Sequence, residues 1–400
     1  MALPLDGIRV LDFTHVYAGP HATRHLAALG ADVVKVESRA RPDSTRSGDG
    51  DDLSAGSYYN EPNQGKRDAT INLGTDRGRE IAFDLAAETD VLVENFSPSV
   101  MERLGLGYEA VREENEEIVY VSMPGFANSG PAKSYRSWGV NLQSMAGFDT
   151  ISGHPDDPPV PAAFSWPDPT AGIAATYAIC LALLSRTGTG EGIYVEVPQY
   201  ELTVTFMHKA LMAETMDAED PGRIGNRDED GRYVQGVYEC AGDDRWAAVA
   251  IENDAQWARL CEVMGVPELI DDDGFESQYR RFENHDAVDE IITAWTRERS
   301  PEEVRSRLQD HDVPAGIVAN ERDLMEYDPQ LRAREYFAEH DHPTVGKHRL
   351  QGVPFEMEGE EVQFPSRAPL LGEHTAAVVR EWLGMDDQEI ERLEEEEVLY

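Results

Sequence analysis

Over the first half of the chain, short runs of apolar residues alternate with segments in which apolar residues have helical spacing. Helical spacing of apolar residues covers positions 21–29 and 76–88, and a longer apolar run covers 171–184. Six other apolar runs predict buried β-strands: residues 8–13, 32–37, 69–73, 91–95, 118–122 and 193–197. Strands joined through helices pair in parallel with right-handed crossovers. The pattern therefore predicts an α/β fold with a doubly wound parallel sheet.

The pattern changes after about residue 220. Residues 233–239 and 246–251 predict antiparallel strands joined by a turn, and helices rich in Glu and Arg follow. Strands return from about residue 328, and an acidic helix near 386–397 ends the sequence. We predict a large domain at 1–224, a smaller α+β domain at 225–325, and a return to the large domain at 326–400.

The charge of the chain narrows the choice of partner and compartment. There are 77 acidic and 35 basic residues, which gives a formal net charge of −42 spread over the whole sequence. A field of this sign repels phosphates, so nucleic acid is excluded as a partner. Self-repulsion is screened within about 3 Å in molar salt. We interpret the chain as a cytoplasmic protein of a halophile.

Several other classes of protein are disfavoured by missing motifs. We find no run of about 18 apolar residues and no leader-like start, so we expect no membrane association. Three scattered cysteines suit a reducing cytoplasm and indicate no disulfide framework. His340 and His342 share one strand face without an evident third ligand, so we predict a surface strand and no metal. Dinucleotide and Walker glycine motifs are absent, so NAD and FAD are not predicted.

Asp168 stands between two prolines at the start of the apolar run 171–184. Asp at a helix N-cap beside Pro at the first helical position is a common structural pair, and spacing alone favours that role. A second hypothesis is that Asp168 is a nucleophile. The helix dipole and free amides would keep its carboxylate ionised, and an ionised carboxylate can attack an acyl carbonyl. Nearby amides would stabilise the oxyanion that forms.

Six segments in the same order resemble one known family, the class III CoA-transferases, to which formyl-CoA:oxalate CoA-transferase belongs. The resemblance covers almost the whole chain. The segments are residues 5–13 with 18–20, 29–37, 65–67, 93–96 with 103–105, Asp168 with 171–172, and 370–375. The resemblance implies a Rossmann-like large domain, a small domain and an interlocked homodimer of ring-like chains.

The resemblance also assigns residues. Asp168 matches the catalytic aspartate, which forms an anhydride with the acyl group and then a thioester with CoA. No cofactor is implied, because coenzyme A is itself a substrate. The positions that match CoA contacts are Val16, Tyr17, Ala18, Arg39, Lys66, Asn95, Phe96, Arg103 and Arg136. We expect His15, Tyr17 and Trp138 to line the acyl pocket.

The sequence departs from the formyl-CoA enzyme near this pocket. Tyr17 stands where that enzyme has Gln, Ser38 where it has Arg, and Trp138-Gly139 where it has a Tyr-Glu pair. These changes argue against oxalate and formate and favour a larger acyl group. The family also contains α-methylacyl-CoA racemases, which need a His-Asp pair partly at this place. Trp138 and Gly139 cannot act as bases, so racemisation remains only an alternative.

The inferred lifestyle suggests a substrate pair. A salt-accumulating organism with a methylaspartate-type acetate pathway would need CoA placed on mesaconate. We therefore hypothesise succinyl-CoA as the donor and mesaconate as the acceptor. Transfer of CoA within one dicarboxylate, and a binding protein without activity, remain open at this point.

Overall fold

The chain folds into two compact units in the computed structural model, which describes residues 3–47, 53–216, 218, 222–228 and 230–400. The larger unit comprises Met1–Phe148, Pro161–Met212 and Leu331–Tyr400. The smaller unit comprises Asp149–Val160 and Ala213–Gln330. The candidate site described below lies wholly within the larger unit.

A six-stranded sheet forms the centre of the larger unit, and every neighbouring pair of strands is parallel. Its order is β3-β2-β1-β4-β5-β6. The strands are β1 (Arg9–Asp12), β2 (Asp32–Glu37), β3 (Arg67–Thr70), β4 (Val91–Glu94), β5 (Val119–Ser122) and β6 (Ile193–Glu196). The predicted doubly wound parallel sheet is confirmed. In such a sheet the strand order reverses beside β1, where ligands bind at the carboxyl ends.

Helices of the larger unit connect these strands and cover the sheet. They are α1 (Ala18–Ala28), α2 (Ser57–Asn60), α3 (Asp76–Ala87), α4 (Val100–Arg103), α5 (Tyr108–Glu114), α6 (Gly139–Met145), α8 (Pro167–Thr189), α9 (Gln199–Thr205), α16 (Thr375–Leu383) and α17 (Asp387–Glu395). Three short helices lie across the unit boundaries: α7 (Phe148–Ile151), α10 (His208–Thr215) and α15 (Pro329–Ala333).

Both faces of the sheet are buried except at edge strand β6, where Ile193 and Tyr194 are exposed. Burial on both faces explains why most of the strands are mainly apolar runs. Val10 belongs to a cluster that joins the sheet to α1 and α8. The next residue, Leu11, belongs to a cluster on the other face with residues of α3, α16 and α17. Alternate side chains of β1 thus pack on opposite faces.

Helix α1 begins earlier than the sequence pattern indicates. We predicted a break at residues 17–20 and a helix from 21, whereas α1 starts at Ala18. Pro20 lies in the first turn, where its missing N–H removes no helical hydrogen bond. The early start brings α1 directly to the carboxyl end of β1.

Helix α8 is longer than the predicted apolar run and crosses α1 closely. A Cβ atom on Gly172 would lie 2.9 Å from the Ala18 carbonyl oxygen, so only glycine permits this approach. Among the described residues, α8 alone is long and apolar enough to cross a membrane. This corrects our expectation that no segment has that length and composition. Core helices of soluble proteins pass the same test, so this is weak evidence for a span.

The smaller unit has a three-stranded sheet of order β7-β8-β9, antiparallel throughout. Its strands are β7 (Val234–Glu239), β8 (Trp246–Ile251) and β9 (Ala315–Ile317). Its helices are α11 (Asp254–Met264), α12 (Gln278–Glu283), α13 (His285–Thr296) and α14 (Pro301–Gln309). Trp257 and Leu260 of α11 pack in its core with Val249 of β8.

A two-stranded hairpin, β10 (Phe337–His342) and β11 (Gly346–Gln351), belongs to the larger unit. The predicted strand at His340 and His342 is confirmed, but its assignment to the surface is wrong for His342, which is 1% exposed. Cross-strand pairing also brings His348 opposite His340. Among the described residues, no group of three or more His, Cys, Asp or Glu is arranged to hold a metal ion.

Candidate active site

Asp168 lies in the first turn of α8, but it is not the helix cap. The helix begins at Pro167, and Trp166 occupies the N-cap position without a side-chain capping bond. The structural role favoured by spacing is therefore wrong. What remains is a half-buried carboxylate at the positive end of a 23-residue helix.

Two neighbours pack directly against the Asp168 carboxylate. A Cβ atom built on Gly139 would lie 2.6 Å from Asp168 Oδ2 and 1.5 Å from Ser165 Oγ. The position tolerates no side chain unless the carboxylate moves. Gly139 is the first residue of α6, so the start of α6 forms one wall of the site.

The environment of Asp168 raises its pKa above the ordinary value of 3.8. Burial is the main cause, and the nearby Ser165 side chain partly offsets it. The direction differs from our expectation that the helix terminus would dominate. Desolvation leaves the carboxylate less stabilised by solvent, and so more basic and more nucleophilic once ionised.

A cavity of about 750 Å³ opens at Asp168 along the carboxyl ends of β1 and β4. It brings together most of the residues singled out from the sequence. Those lining it are His15, Val16, Tyr17, Ala18, Asn95, Phe96, Arg136, Trp138 and Asp168. These residues come from four separate segments, and the fold alone makes them neighbours.

Asn95 joins two of these segments. Its side-chain oxygen accepts the His15 backbone N–H at 2.9 Å, and its amide nitrogen donates to the His15 carbonyl at 2.8 Å. The His15 ring lies 5.5 Å from the Phe96 ring. Burial, followed by the charge of Lys35, lowers the His15 pKa, so its imidazole is neutral at pH 7.

Tyr17, which lines the cavity, forms the centre of a cluster of aromatic rings. Its ring stacks on His21 at 5.3 Å and meets the rings of Tyr58 and Phe164 at 5.2 and 6.2 Å. Burial and then the charge of Asp168 raise the pKa of Tyr58, which places its phenol in the field of that carboxylate. A neutral aromatic ring at the cavity, such as that of Tyr17, suits the hydrocarbon part of an acyl group.

Three predicted residues are not brought to the cavity. Lys66 is fully buried, and its ammonium contacts Asp12 Oδ2 at 3.0 Å, the Pro20 carbonyl and Asn63 Oδ1. Burial lowers the pKa of Lys66 to about 8. Arg39 and Arg103 are exposed and lie outside the wall of the cavity.

The structure adds cations and neighbours that sequence reasoning missed. Arg41 and Lys133 line the cavity with Arg136, and Gly139 and Gln199 also belong to its wall. A second cavity of about 300 Å³ shares His15, Arg41, Phe96 and Val100 with the first. The scarcity of basic residues was a usable signal for Arg41 and Lys133, because each cation in so acidic a chain is conspicuous.

Comparison with known proteins identifies the family of this chain. The model of CoA-transferase family III matches residues 5–375. A succinyl-CoA:mesaconate CoA-transferase of Haloarcula marismortui is 34% identical over 387 residues, covering 94% of this chain and 96% of that protein. A formyl-CoA:oxalate CoA-transferase of Streptomyces avermitilis is 33% identical over 417 residues and covers all of both chains.

A solved structure extends the comparison to the fold. A CAIB/BAIF family protein from Brucella suis is 29% identical, with a TM-score of 0.87 over 96% of this chain and 100% of that one. The shared fold and the match to the family model identify this chain as an enzyme of the CoA-transferase class. The chain belongs to CoA-transferase family III, and it is a CoA-transferase with acyl-CoA and carboxylate substrates.

Proposed function

We propose that this enzyme moves CoA from succinyl-CoA to mesaconate through covalent intermediates at Asp168. The observation that carries the mechanism is the desolvated Asp168 carboxylate at the cavity, packed against Gly139. A water molecule at the same place would be a weaker nucleophile than this carboxylate. The thioester energy would then be kept in a new covalent bond.

Each proposed step breaks one bond as it forms another. Asp168 attacks the thioester carbonyl, the C–S bond breaks, and a mixed anhydride and CoA thiolate form. The thiolate attacks the Asp168 carbonyl, which gives an enzyme thioester and free succinate. The acceptor carboxylate then attacks this thioester and releases the thiolate again. Attack of the thiolate on the acceptor acyl carbon yields the new acyl-CoA and regenerates Asp168.

The choice of substrates has two supports. The Haloarcula relative carries the succinyl-CoA:mesaconate activity in its name, and the net charge of −42 fits a salt-accumulating cytoplasm. The aromatic rings of Tyr17 and Trp138 at the cavity favour a C4 or C5 acyl group over formate or oxalate. Arg41, Lys133 and Arg136 supply the positive charge that a dicarboxylate or a CoA phosphate requires.

We also propose that CoA lies along both cavities, with its thioester at Asp168. The two cavities share His15 and Phe96, so one elongated ligand can occupy both. Arg39 and Arg103 flank the smaller cavity in sequence and remain candidates for its phosphates. Lys66 would act indirectly, by holding Asp12 and the Pro20 carbonyl at the start of α1.

A homodimer is the proposed assembly. Helix α8 exposes an apolar stripe at Ile173, Tyr177, Leu181 and Leu184, with exposures of 58, 67, 46 and 68%. These positions are spaced by three or four residues and therefore lie on one helix face. The family resemblance implies a homodimer, and we propose that a second copy of the chain covers this face.

Hydroxylamine trapping tests the proposal. Enzyme incubated with succinyl-CoA and hydroxylamine should gain a hydroxamate on the peptide that contains Asp168, and Asp168→Ala should gain none. Free CoA should still bind Asp168→Ala, because the side chain is small beside the CoA contacts. Asp168→Asn with turnover near that of the wild type would contradict the mechanism.

An acceptor screen and isotope exchange test the substrates. With succinyl-CoA as donor, mesaconate should give the highest kcat/KM among C2 to C6 carboxylic acids. A racemase would instead exchange an α-proton with deuterated solvent, and a pure binder would show neither reaction. Preference for oxalate over mesaconate would overturn the substrate assignment while leaving the covalent mechanism intact.

A further inference from the structure

A strained residue forms part of the cavity wall. Val16 has a φ of 70°, in the left-handed region that a β-branched side chain rarely adopts. It lines the same cavity as Asp168, as do its neighbours Tyr17 and Ala18. A backbone of this kind persists only where its surroundings impose it.

A fully buried ion pair contacts this loop at two points. Lys35 Nζ lies 3.1 Å from Asp43 Oδ2, and both side chains are 0% exposed. The Asp43 carboxylate accepts the Val16 backbone N–H at 3.1 and 3.2 Å. Lys35 also donates to the Thr14 carbonyl. The pair therefore holds one backbone group on each side of His15.

Asp43 is itself fixed in orientation. Its backbone N–H donates to Glu37 Oε2 at 2.7 Å, and its Oδ1 accepts from the Thr45 N–H and hydroxyl at 3.0 and 2.8 Å. Burial acts to raise the pKa of Asp43, but Lys35 and the other lowering contributions, among them the Thr45 N–H, together outweigh it, and the pKa lies below its usual range. The carboxylate is therefore ionised, and donors surround both of its oxygens.

We propose that Lys35 and Asp43 are positioning residues for the acyl-CoA site, which they shape by holding Val16 in its left-handed conformation. Neither residue belongs to the described wall of the cavity, so their effect reaches the ligand through the loop. The inference rests on the proposed function in one respect, that the ligand of this cavity is a CoA thioester. It concerns ground-state binding and is independent of which atom is acylated.

The first test is Asp43→Asn, with CoA binding measured by calorimetry in molar KCl. The substitution keeps the shape but leaves one acceptor oxygen for the donors of Lys35, Val16 and Thr45. If the binding-competent loop falls to about one tenth of the population, the Kd for CoA rises about tenfold. The kcat at saturating succinyl-CoA should change less than about threefold, because bound substrate restores the competent loop.

A second substitution separates positioning from general stability. Glycine adopts positive φ without steric cost, so Val16→Gly removes the need for the ion pair to impose that conformation. The double variant Asp43→Asn/Val16→Gly should bind CoA within about threefold of Val16→Gly alone. If Asp43→Asn raises the Kd for CoA as much in the Val16→Gly background as in the wild type, or more, the proposal would be overturned. Glycine at position 16 would not compensate for the loss of an ion pair with only a structural role.

Asp90→Asn is the matched control. Like Asp43, Asp90 pairs with a cation, here Arg186 at 2.7 Å, and accepts a backbone N–H, here that of Arg9 at 2.8 Å. It precedes β4, at the end of the sheet away from the cavity. Its substitution should lower the melting temperature without raising the Kd for CoA, and an equal rise in Kd would refute a specific role for Asp43.

A second ion-pair variant and a parallel trapping assay complete the test. If Asp43→Asn does not fold, Lys35→Arg with and without Val16→Gly gives the same comparison, since the planar guanidinium cannot reproduce the ammonium contacts. Hydroxamate trapping at Asp168 is measured in parallel. If wild-type enzyme forms no hydroxamate at Asp168, the proposed function is refuted. If the Kd for CoA is unchanged in Asp43→Asn or Lys35→Arg, only the positioning role is refuted.

Discussion

Gly139→Ala is expected to disable the enzyme by displacing its nucleophile. The new methyl group would lie 2.6 Å from Asp168 Oδ2, about 0.8 Å inside ordinary contact, and 1.5 Å from Ser165 Oγ. The serine can change rotamer, but the Asp168 carboxylate must shift by most of an ångström. A displacement of about 1 Å can cost about a hundredfold in rate. We expect kcat to fall roughly 30- to 100-fold, or about 2 to 3 kcal/mol in the barrier.

The stability of the variant should change much less than its activity. Overpacking costs about 1 to 3 kcal/mol, which a folded domain of this size tolerates. Gly188→Ala is the matched control, because a Cβ there meets nothing within 4 Å and alanine suits the helix. The assay is succinyl-CoA-dependent hydroxamate formation, with circular dichroism as the test of folding. A Gly139→Ala enzyme with wild-type kcat would refute the placement of Gly139 against the nucleophile.

Three further predictions concern pH, assembly and salt. Burial raises the pKa of Glu94 to about 7, because it disfavours the charged form of the carboxyl. The contribution of Glu94 to folding stability is therefore fully present below pH 4.5 and is lost as pH rises through 7. Glu94→Gln should therefore gain up to about 3 kcal/mol over wild type in urea unfolding at pH 9 and little at pH 5; an unchanged pH dependence would contradict the burial argument. Tyr177→Glu places a charge on the exposed stripe of α8 and should shift the sedimentation mass from dimer to monomer; an unaltered dimer would place the interface elsewhere. Raising KCl from about 0.1 to 1 M should raise the melting temperature, because the screening length falls from about 10 to 3 Å; a flat response would argue against halophilic adaptation.

The parallel sheet could be predicted because most of its strands are buried on both faces. Most of them are short, mainly apolar runs, and the helices between them have clear spacing. Strand β3 (Arg67–Thr70) instead begins with two charged residues and starts before the predicted run at 69–73. The start of α1 was missed because glycine and proline at positions 19 and 20 usually signal a break. Here they fall in the first helical turn, where the local rule does not apply.

The candidate site was predictable only in part. Asp168 and the β1–α1 loop were found from motif order, and nine of the predicted residues line one cavity. The role of Lys66 could not be read from sequence, because its ion pair with Asp12 joins residues 54 positions apart. The same holds for Gly139, whose contact with Asp168 depends on how α6 meets α8.

The packing of the site accounts for a departure from the formyl-CoA enzyme. A glutamate, as that enzyme has, would not fit at Gly139 in this structure without moving Asp168. Trp138, 68% exposed, lies beside it at the cavity. Relative to the Tyr-Glu pair, Trp138-Gly139 lacks the carboxylate and carries a larger aromatic ring, which supports our proposal of a larger acyl group.

Peptide mass spectrometry during turnover tests the central claim most directly. Enzyme supplied with succinyl-CoA and mesaconate in molar KCl is quenched in acid within the first turnovers, and the fragment that carries the covalent label is sequenced. The account predicts a succinyl or CoA adduct on the carboxyl group between Pro167 and Pro169 in a fraction that matches the kinetic steady state. Product accumulation while that fragment stays unmodified at every time point would contradict it.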